Sequence, residues 1–277
     1  MKSQWDRLLK NLGEWHGSFS HLSPQGDILE DTLTIVSLAG LNANQTIRQI
    51  VRRTPRDSNI PIDEKVLEYS SLGRGILFFE NGAFSQGSLQ FGPYSDFGAE
   101  LGLIEGDRRL RLVQLFNTAG QLDRITLIRE QRAGTDAPER PPLHLEDLLG
   151  EWQGEAITID SIWRENTYPT TLKLHREGDR LVQSLSFTNQ GQVQTLTSRG
   201  QINGSQLLFD QGTVPVQVVL LADGASCTCP LQIQPRQAIF LEMGWLLQPT
   251  LRHRLIRSYN SQGEWVSLTL VIEHKVG

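Results

Sequence analysis

The residues of this chain best equipped for chemistry are two pairs of arginines. Arg109 and Arg111 stand two apart in one alternating segment, and Arg252 and Arg254 stand two apart in another. Alternation points residues i and i+2 to the same side of a strand. Arg109, Arg111, Val113 and Leu115 therefore share one face, and Leu110, Leu112, Gln114 and Phe116 the other. Two roles fit such a pair. A guanidinium inside a cavity grips the acid group of a ligand bidentately. Alternatively it packs its plane on a tryptophan, here Trp15 or Trp152, caps nearby carbonyls and closes the fold. Glu80, Glu100, Asp210 and Glu242 lie beside apolar or aromatic residues and are candidate partners for these arginines.

Other reactive constellations are absent from the sequence. No phosphate-binding glycine loop, dinucleotide fingerprint, nucleophile elbow or H-E-x-x-H pair occurs. The six histidines (His16, His21, His144, His175, His253 and His274) have no metal-ligand spacing, so no metal site is expected. Cys227 and Cys229 flank Thr228 in an extended stretch and read as small buried hydrophobes rather than a redox or metal pair.

Charge composition narrows the partners. Lys and Arg number 26 against 31 Asp and Glu, a net charge of −5, which argues against a nucleic-acid or anionic-membrane partner. Of the 26 cations, 21 are arginine, the side chain that best tolerates partial burial and bidentate pairing. No apolar run is long enough for a membrane-spanning helix, and the opening residues are not those of a signal peptide. With two cysteines only, a reducing, cytoplasmic setting is expected.

The elements that must position the arginines follow from an internal repeat. Gly13, Glu14, Trp15 and Gly17 recur as Gly150, Glu151, Trp152 and Gly154, each time after a leucine-rich turn. A second match runs from Arg111 to Glu130 and from Arg254 to Glu273, keeping Arg-Leu, an aromatic-Asn step, a Gly and the terminal Glu. The chain is a tandem duplication. Residues 1–132 form one unit, the Pro-rich stretch 133–142 a semi-rigid linker, and residues 143–277 a second unit. Each half reads as a short helix followed by many period-two strands, including Thr32–Leu38, Leu110–Phe116, Leu181–Phe187 and Val266–Ile272. Hairpin-grade turns at Pro24–Asp27, Asn81-Gly82, Thr118–Gly120, Asn189–Gly191, Asn203-Gly204 and Ser261–Gly263 separate the strands. The fold expected is all-β, two antiparallel barrels in tandem, each half able to fold alone. Trp15 and Trp152 would plug the barrel ends, with Gly13 and Gly150 admitting the chain tightly.

The doubled Gly-x-Trp opening resembles that of the calycins, the lipocalin-like superfamily. The stretch from Phe78 to Phe116, with the lead Q-W-D-R-L-L-K-N-L-G-E-W-H-G-S-F, resembles a calycin-like domain-of-unknown-function family of cyanobacteria and plastid-bearing plants. That resemblance implies tandem lipocalin-like barrels and a photosynthetic source, and brings no activity with it. More distant calycins include S/T-type biliprotein lyases, but no lyase motif is found. The start of the second half, with Tyr168-Pro169-Thr170, is similar to nitrobindin-like haem barrels, whose axial histidine would fall at His253; two arginines flank that residue. The expected function is non-enzymatic binding of an apolar, acid-bearing small molecule, a lipid or a tetrapyrrole such as a bilin or haem. Lyase-like bilin transfer is the enzymatic alternative. Docking on photosynthetic proteins through the outer faces of filled barrels is the third.

Overall fold

The computed structural model describes residues 2–56, 60, 63–92, 95–189 and 191–276. The turn expected at Asn189–Gly191 therefore falls partly, at Gln190, outside the described residues.

Both halves begin the same way. Helix α1 (Gln4–Leu8) starts under a Ser3–Asp6 capping box and passes into a single 3₁₀ turn, Leu9–Asn11. Helix α2 (Leu145–Leu148) opens the second half. Each runs into a glycine in the left-handed region, Gly13 at φ +124° and Gly150 at φ +119°. Trp15 and Trp152 follow, fully buried, and each indole N–H donates to a carbonyl at the end of the preceding helix, Asn11 at 3.0 Å and Leu148 at 2.8 Å. The duplicated Gly-x-Trp thus ends each helix and ties the buried indole back to it.

In the first half, strands β1 (Gly13–Leu22), β2 (Ile28–Leu41), β3 (Thr46–Pro55), β4 (Asp63–Tyr69), β5 (Leu77–Phe78), β6 (Phe84–Gly87), β7 (Phe97–Glu105), β8 (Arg108–Phe116) and β9 (Leu122–Arg132) form one antiparallel sheet. Its order is β4-β3-β2-β1-β9-β8-β7-β6-β5. It curls around an interior containing Trp15, Phe19, Val36, Phe78 and Phe84. Among the described residues β4 and β5 remain its two edges. The second half closes completely. Strands β10 (Gly150–Asp160), β11 (Glu165–Glu177), β12 (Arg180–Asn189), β13 (Gln192–Asn203), β14 (Gln206–Phe209), β15 (Val216–Leu220), β16 (Ala225–Pro230), β17 (Ile239–Gln248), β18 (Leu251–Tyr259) and β19 (Trp265–Val276) make a ten-stranded antiparallel barrel in sequence order.

The most extensive apolar core lies in neither interior. It forms where the outer faces of β7–β9 meet those of β16–β19, joining Leu101, Leu110, Leu112 and Phe116 to Cys227, Met243, Leu255 and Leu268. Both cysteines are free and buried there. Strands in this region carry apolar residues on both faces, the pattern of a sheet covered on two sides. Polar groups cross the junction in both directions. Gln114 Nε2 donates to the Glu242 carbonyl at 3.0 Å and reaches Cys227 Sγ at 3.1 Å. Arg257 Nη1 donates to the Gly75 carbonyl at 3.1 Å and approaches Ser85 Oγ at 3.5 Å. Backbone N–H groups of Leu122 and Ile233 donate to Leu231 and Gly120, while those of Trp265 and Phe91 donate to Leu89 and Gly263.

The Pro-rich connection is docked onto this junction. The buried Asp223 carboxylate accepts from Arg108 Nη2 at 2.5 Å and from the Arg140 N–H at 2.7 Å. The Arg140 guanidinium stacks 4.4 Å from the Trp245 ring. No helix among the described residues is long and apolar enough to cross a membrane.

Candidate ligand cavity and arginine network

Strand register brings the repeated arginines to repeated glutamates. Arg109 lies directly across from Glu130 on β8 and β9, and Arg252 directly across from Glu273 on β18 and β19. Arg109, Arg111, Arg252 and Arg254 all face the two interiors, where they line cavities. Glu130 and Glu273 were visible in the sequence only as the last residue of the second repeat match. Cross-strand register is what makes them partners.

The first network is saturated. Glu130, fully buried, accepts from Arg109 Nε at 2.6 Å and Nη2 at 3.0 Å, and from Arg111 Nε at 3.0 Å and Nη2 at 2.8 Å. Arg111 Nη1 also donates to Glu100 at 2.7 Å. Burial alone would raise the Glu130 pKa, but the Arg109 and Arg111 guanidiniums hold it down at about 2. Arg109 is lowered by burial against the pull of Glu130. Arg111 is raised, its two carboxylates outweighing burial.

The second network uses the same residues with fewer bonds. Arg254 makes a bidentate pair with Glu242, Nε–Oε1 2.8 Å and Nη2–Oε2 2.9 Å. Arg252 Nη1 stands 3.3 Å from Glu273 Oε1, and Arg254 Nη1 stands 3.7 Å from Oε2. Glu273 Oε1 is buried without a hydrogen-bond partner, so the 3.3 Å contact is an ion pair whose geometry falls short of a hydrogen bond. Burial lowers the Arg252 pKa despite Glu273 beside it, whereas the two carboxylates raise that of Arg254 over the opposing effect of burial.

The aromatic contacts differ between the two halves. Arg109 and Arg132 each stand 4.5 Å from the Trp15 ring, while Arg111 sits 5.3 Å from Phe19. Trp152 is covered by Lys275, at 5.1 Å, and not by Arg254. Glu80 is misplaced by the sequence reading. Its side chain is 63% exposed and reaches Arg7 of the lead helix at 3.8 Å, apart from the network. Asp210 is exposed as well. Glu100 and Glu242 do pair with arginines. His253, between two cavity-lining arginines, points to the opposite face of β18. Burial, His274 and Arg140 lower its pKa to about 4 there.

The two interiors differ in what fills them. Gly13 corresponds to Gly150, so the buried Phe19 corresponds to Ala156. Across from Gly102, which pairs with Arg111, stands Phe84; across from Gly244, which pairs with Arg254, stands Ser226. Two rings of the first interior are thus replaced by a methyl and a hydroxymethyl in the second. The first half keeps a cavity of about 330 Å³ between Tyr69, Phe78, Phe84 and the arginines. The second holds one of about 540 Å³, walled by Leu172, Leu181, Leu185, Phe187 and Val218, with Arg252, Arg254 and Glu242 as its charged lining.

Residues 1–135 match the domain of unknown function DUF3598, N-terminal, and residues 139–276 match the C-terminal domain of a biogenesis factor required for ATP synthase 1. No curated protein matches the chain. A crystal structure of a protein of unknown function from the DUF3598 family of Nostoc punctiforme PCC 73102 is 53% identical. It covers 100% of both chains, with a TM-score of 0.93. An S-type phycobiliprotein lyase, CPES from Guillardia theta, shares 12% identity over 48% of this chain and 90% of its own, with a TM-score of 0.41. A putative outer membrane protein from Bacteroides fragilis NCTC 9343 shares 10% identity over 99% of this chain and 100% of its own, with a TM-score of 0.27.

Proposed function

The chain belongs to the DUF3598 family, a member of which matches it from end to end, and from that premise we propose that its closed second barrel binds an apolar small molecule without transforming it. The observation that carries this reading is the 540 Å³ cavity, lined by Ala156 where the first half has Phe19. A volume of this size is in the range of small-molecule sites, and a mostly aliphatic wall with a few convergent polar groups is their usual composition. The first half, ringed and saturated, serves as the scaffold.

A lipid or a metal-free tetrapyrrole fits that description. An iron tetrapyrrole fits less well, because the lining residues include no histidine, cysteine or methionine, and His253 faces away. Bilin transfer would further require a free acid or base, whereas Glu242 and Arg254 are committed to each other. Nile red titration of the full chain, followed by native mass spectrometry, tests the proposal. Ala156→Phe restores the first half's residue and should fill the cavity, lowering dye affinity at least tenfold while the melting temperature is kept. Unchanged affinity in that variant overturns the reading.

A second reading is favoured by the match of residues 139–276 to a domain of an ATP synthase biogenesis factor. Here the outer surface docks on another protein during assembly, using exposed apolar residues such as Ile162 and Trp163. Filling the cavity would then leave assembly untouched.

A further inference from the structure

Resting on the reading of the second barrel as a binder, we infer that the guest's buried head group is uncharged: a hydroxyl, a primary amide or a lactam, rather than a carboxylate. The inference begins from a charge count. Two arginines, Arg252 and Arg254, meet two glutamates, Glu242 and Glu273, at the charged end of the cavity. Two positive and two negative charges leave the site neutral before any ligand enters. A carboxylate arriving there would add a buried charge with no cation of its own, and an isolated buried charge is far costlier than a buried neutral dipole.

The hydrogen-bond inventory points to the same class. In the first half Glu130 receives four guanidinium N–H bonds, and nothing is left over. In the second half the equivalent Glu273 keeps Oε1 buried with no hydrogen bond, beside the cavity-lining Arg252. Ser226 Oγ, on the strand facing Gly244, is likewise buried without a partner. Arg252 lies against Gly244, where a Cβ would stand 3.2 Å from its Nη2 and 2.4 Å from Ser226 Oγ. A side chain at position 244 would therefore stand between Ser226 and Arg252. Of the charged groups at this end, Arg252 and Glu242 line the cavity, the first offering guanidinium donors and the second carboxylate oxygens with lone pairs beyond those taken by Arg254. The head group that satisfies both presents an acceptor and a donor side by side. Hydroxyls, primary amides and lactams do so; an ionised carboxylate presents acceptors only.

The orientation follows from the register. Leu172 and Leu174, on the Trp152 side of β11, and Arg252, the second residue of β18, line the Trp152 end, whereas Tyr168, Phe187 and Ser258 line the other end. The head group enters first and the apolar body trails toward the opposite rim.

Competition against Nile red on the full chain at pH 8 tests this with hexadecanol, hexadecanamide and hexadecanoate as probes. The alcohol and amide are expected to bind at least tenfold more tightly than the carboxylate. In Glu273→Gln, whose site carries one net positive charge, the preference should narrow or reverse. Equal or tighter binding of hexadecanoate by the unaltered chain overturns the inference while leaving the cavity reading intact. Failure of all three probes to displace the dye overturns both. The comparison within the unaltered chain does not depend on how well the variant folds.

Discussion

Glu130 is the carboxylate on which the first half's arginines converge, and its pKa of about 2 against an ordinary 4.5 ties stability to acid. The sign follows from linkage. A carboxyl with a depressed folded-state pKa contributes fully above its unfolded value and loses that contribution as pH falls from about 4.5 toward 2. Glu130→Gln should flatten this part of the stability profile and cost about 3–5 kcal/mol at neutral pH, because two buried guanidiniums lose a shared partner. Denaturant titrations from pH 7 to 3 would show it; a parallel profile for the variant would rule it out. His253 adds a second, separate slope. Its lowered pKa, about 4 against 6.5, means the unfolded chain takes up a proton first, so stability falls as pH drops from about 6.5 to 4. His253→Leu puts in place the residue that Leu110 supplies in the first half, and should remove that slope. An unchanged fall over the same interval would show that another group titrates there.

At the scale of elements, the helix-to-strand entry was the most legible part of the sequence. Its demands are local: a leucine stripe, a glycine at positive φ, and an indole within reach of the helix it ends. Gly150→Ala should cost about 1–3 kcal/mol through left-handed backbone strain, although a Cβ there would find its nearest neighbour, Lys275, at an ordinary 3.6 Å. Gly13→Ala should cost more, since its Cβ would meet Arg132 Nη1 at 2.5 Å. Equal melting temperatures for Gly150→Ala and the parent chain would refute the strain argument. The strands, too, were legible from alternation, and so was the face shared by Arg109 and Arg111. What alternation could not show was which partner each arginine meets. Glu130 and Glu273 are fixed by hairpin register, and Trp15 goes to Arg109 and Arg132 because β1 lies beside β9. Nor does either half alone reveal that one interior holds the larger cavity. That contrast lives in the comparison of Phe19 with Ala156.

At the scale of the molecule, the duplication by itself suggests two independent units, and the packing argues otherwise. The outer faces of β7–β9 and β16–β19 bury Leu110, Leu112, Met243 and Leu255 against each other, so a half alone would expose a broad apolar sheet face. The intact chain should therefore unfold in a single cooperative transition. Halves divided within Pro138–Pro142 should not remain monomeric, and should combine one to one when mixed, as size-exclusion chromatography with light scattering can determine. Two soluble monomeric halves would restore the picture of independent units. The crossing contacts carry one more consequence. Gln114 and Arg257 hold equivalent places in the two repeats, and each reaches across to an equivalent strand, at Cys227 and Ser85. The backbone bonds Leu122 to Leu231 and Trp265 to Leu89 are likewise exchanged by the repeat, as are those of Ile233 and Phe91. Contacts that swap in this way define a pseudo-dyad, and the junction is an isologous interface. The chain thus has the geometry of a two-fold dimer within one polypeptide, and its linker does what no interface of identical faces can do. It holds unlike halves together, so that one can widen its cavity while the other keeps a smaller one and its fully paired arginine network.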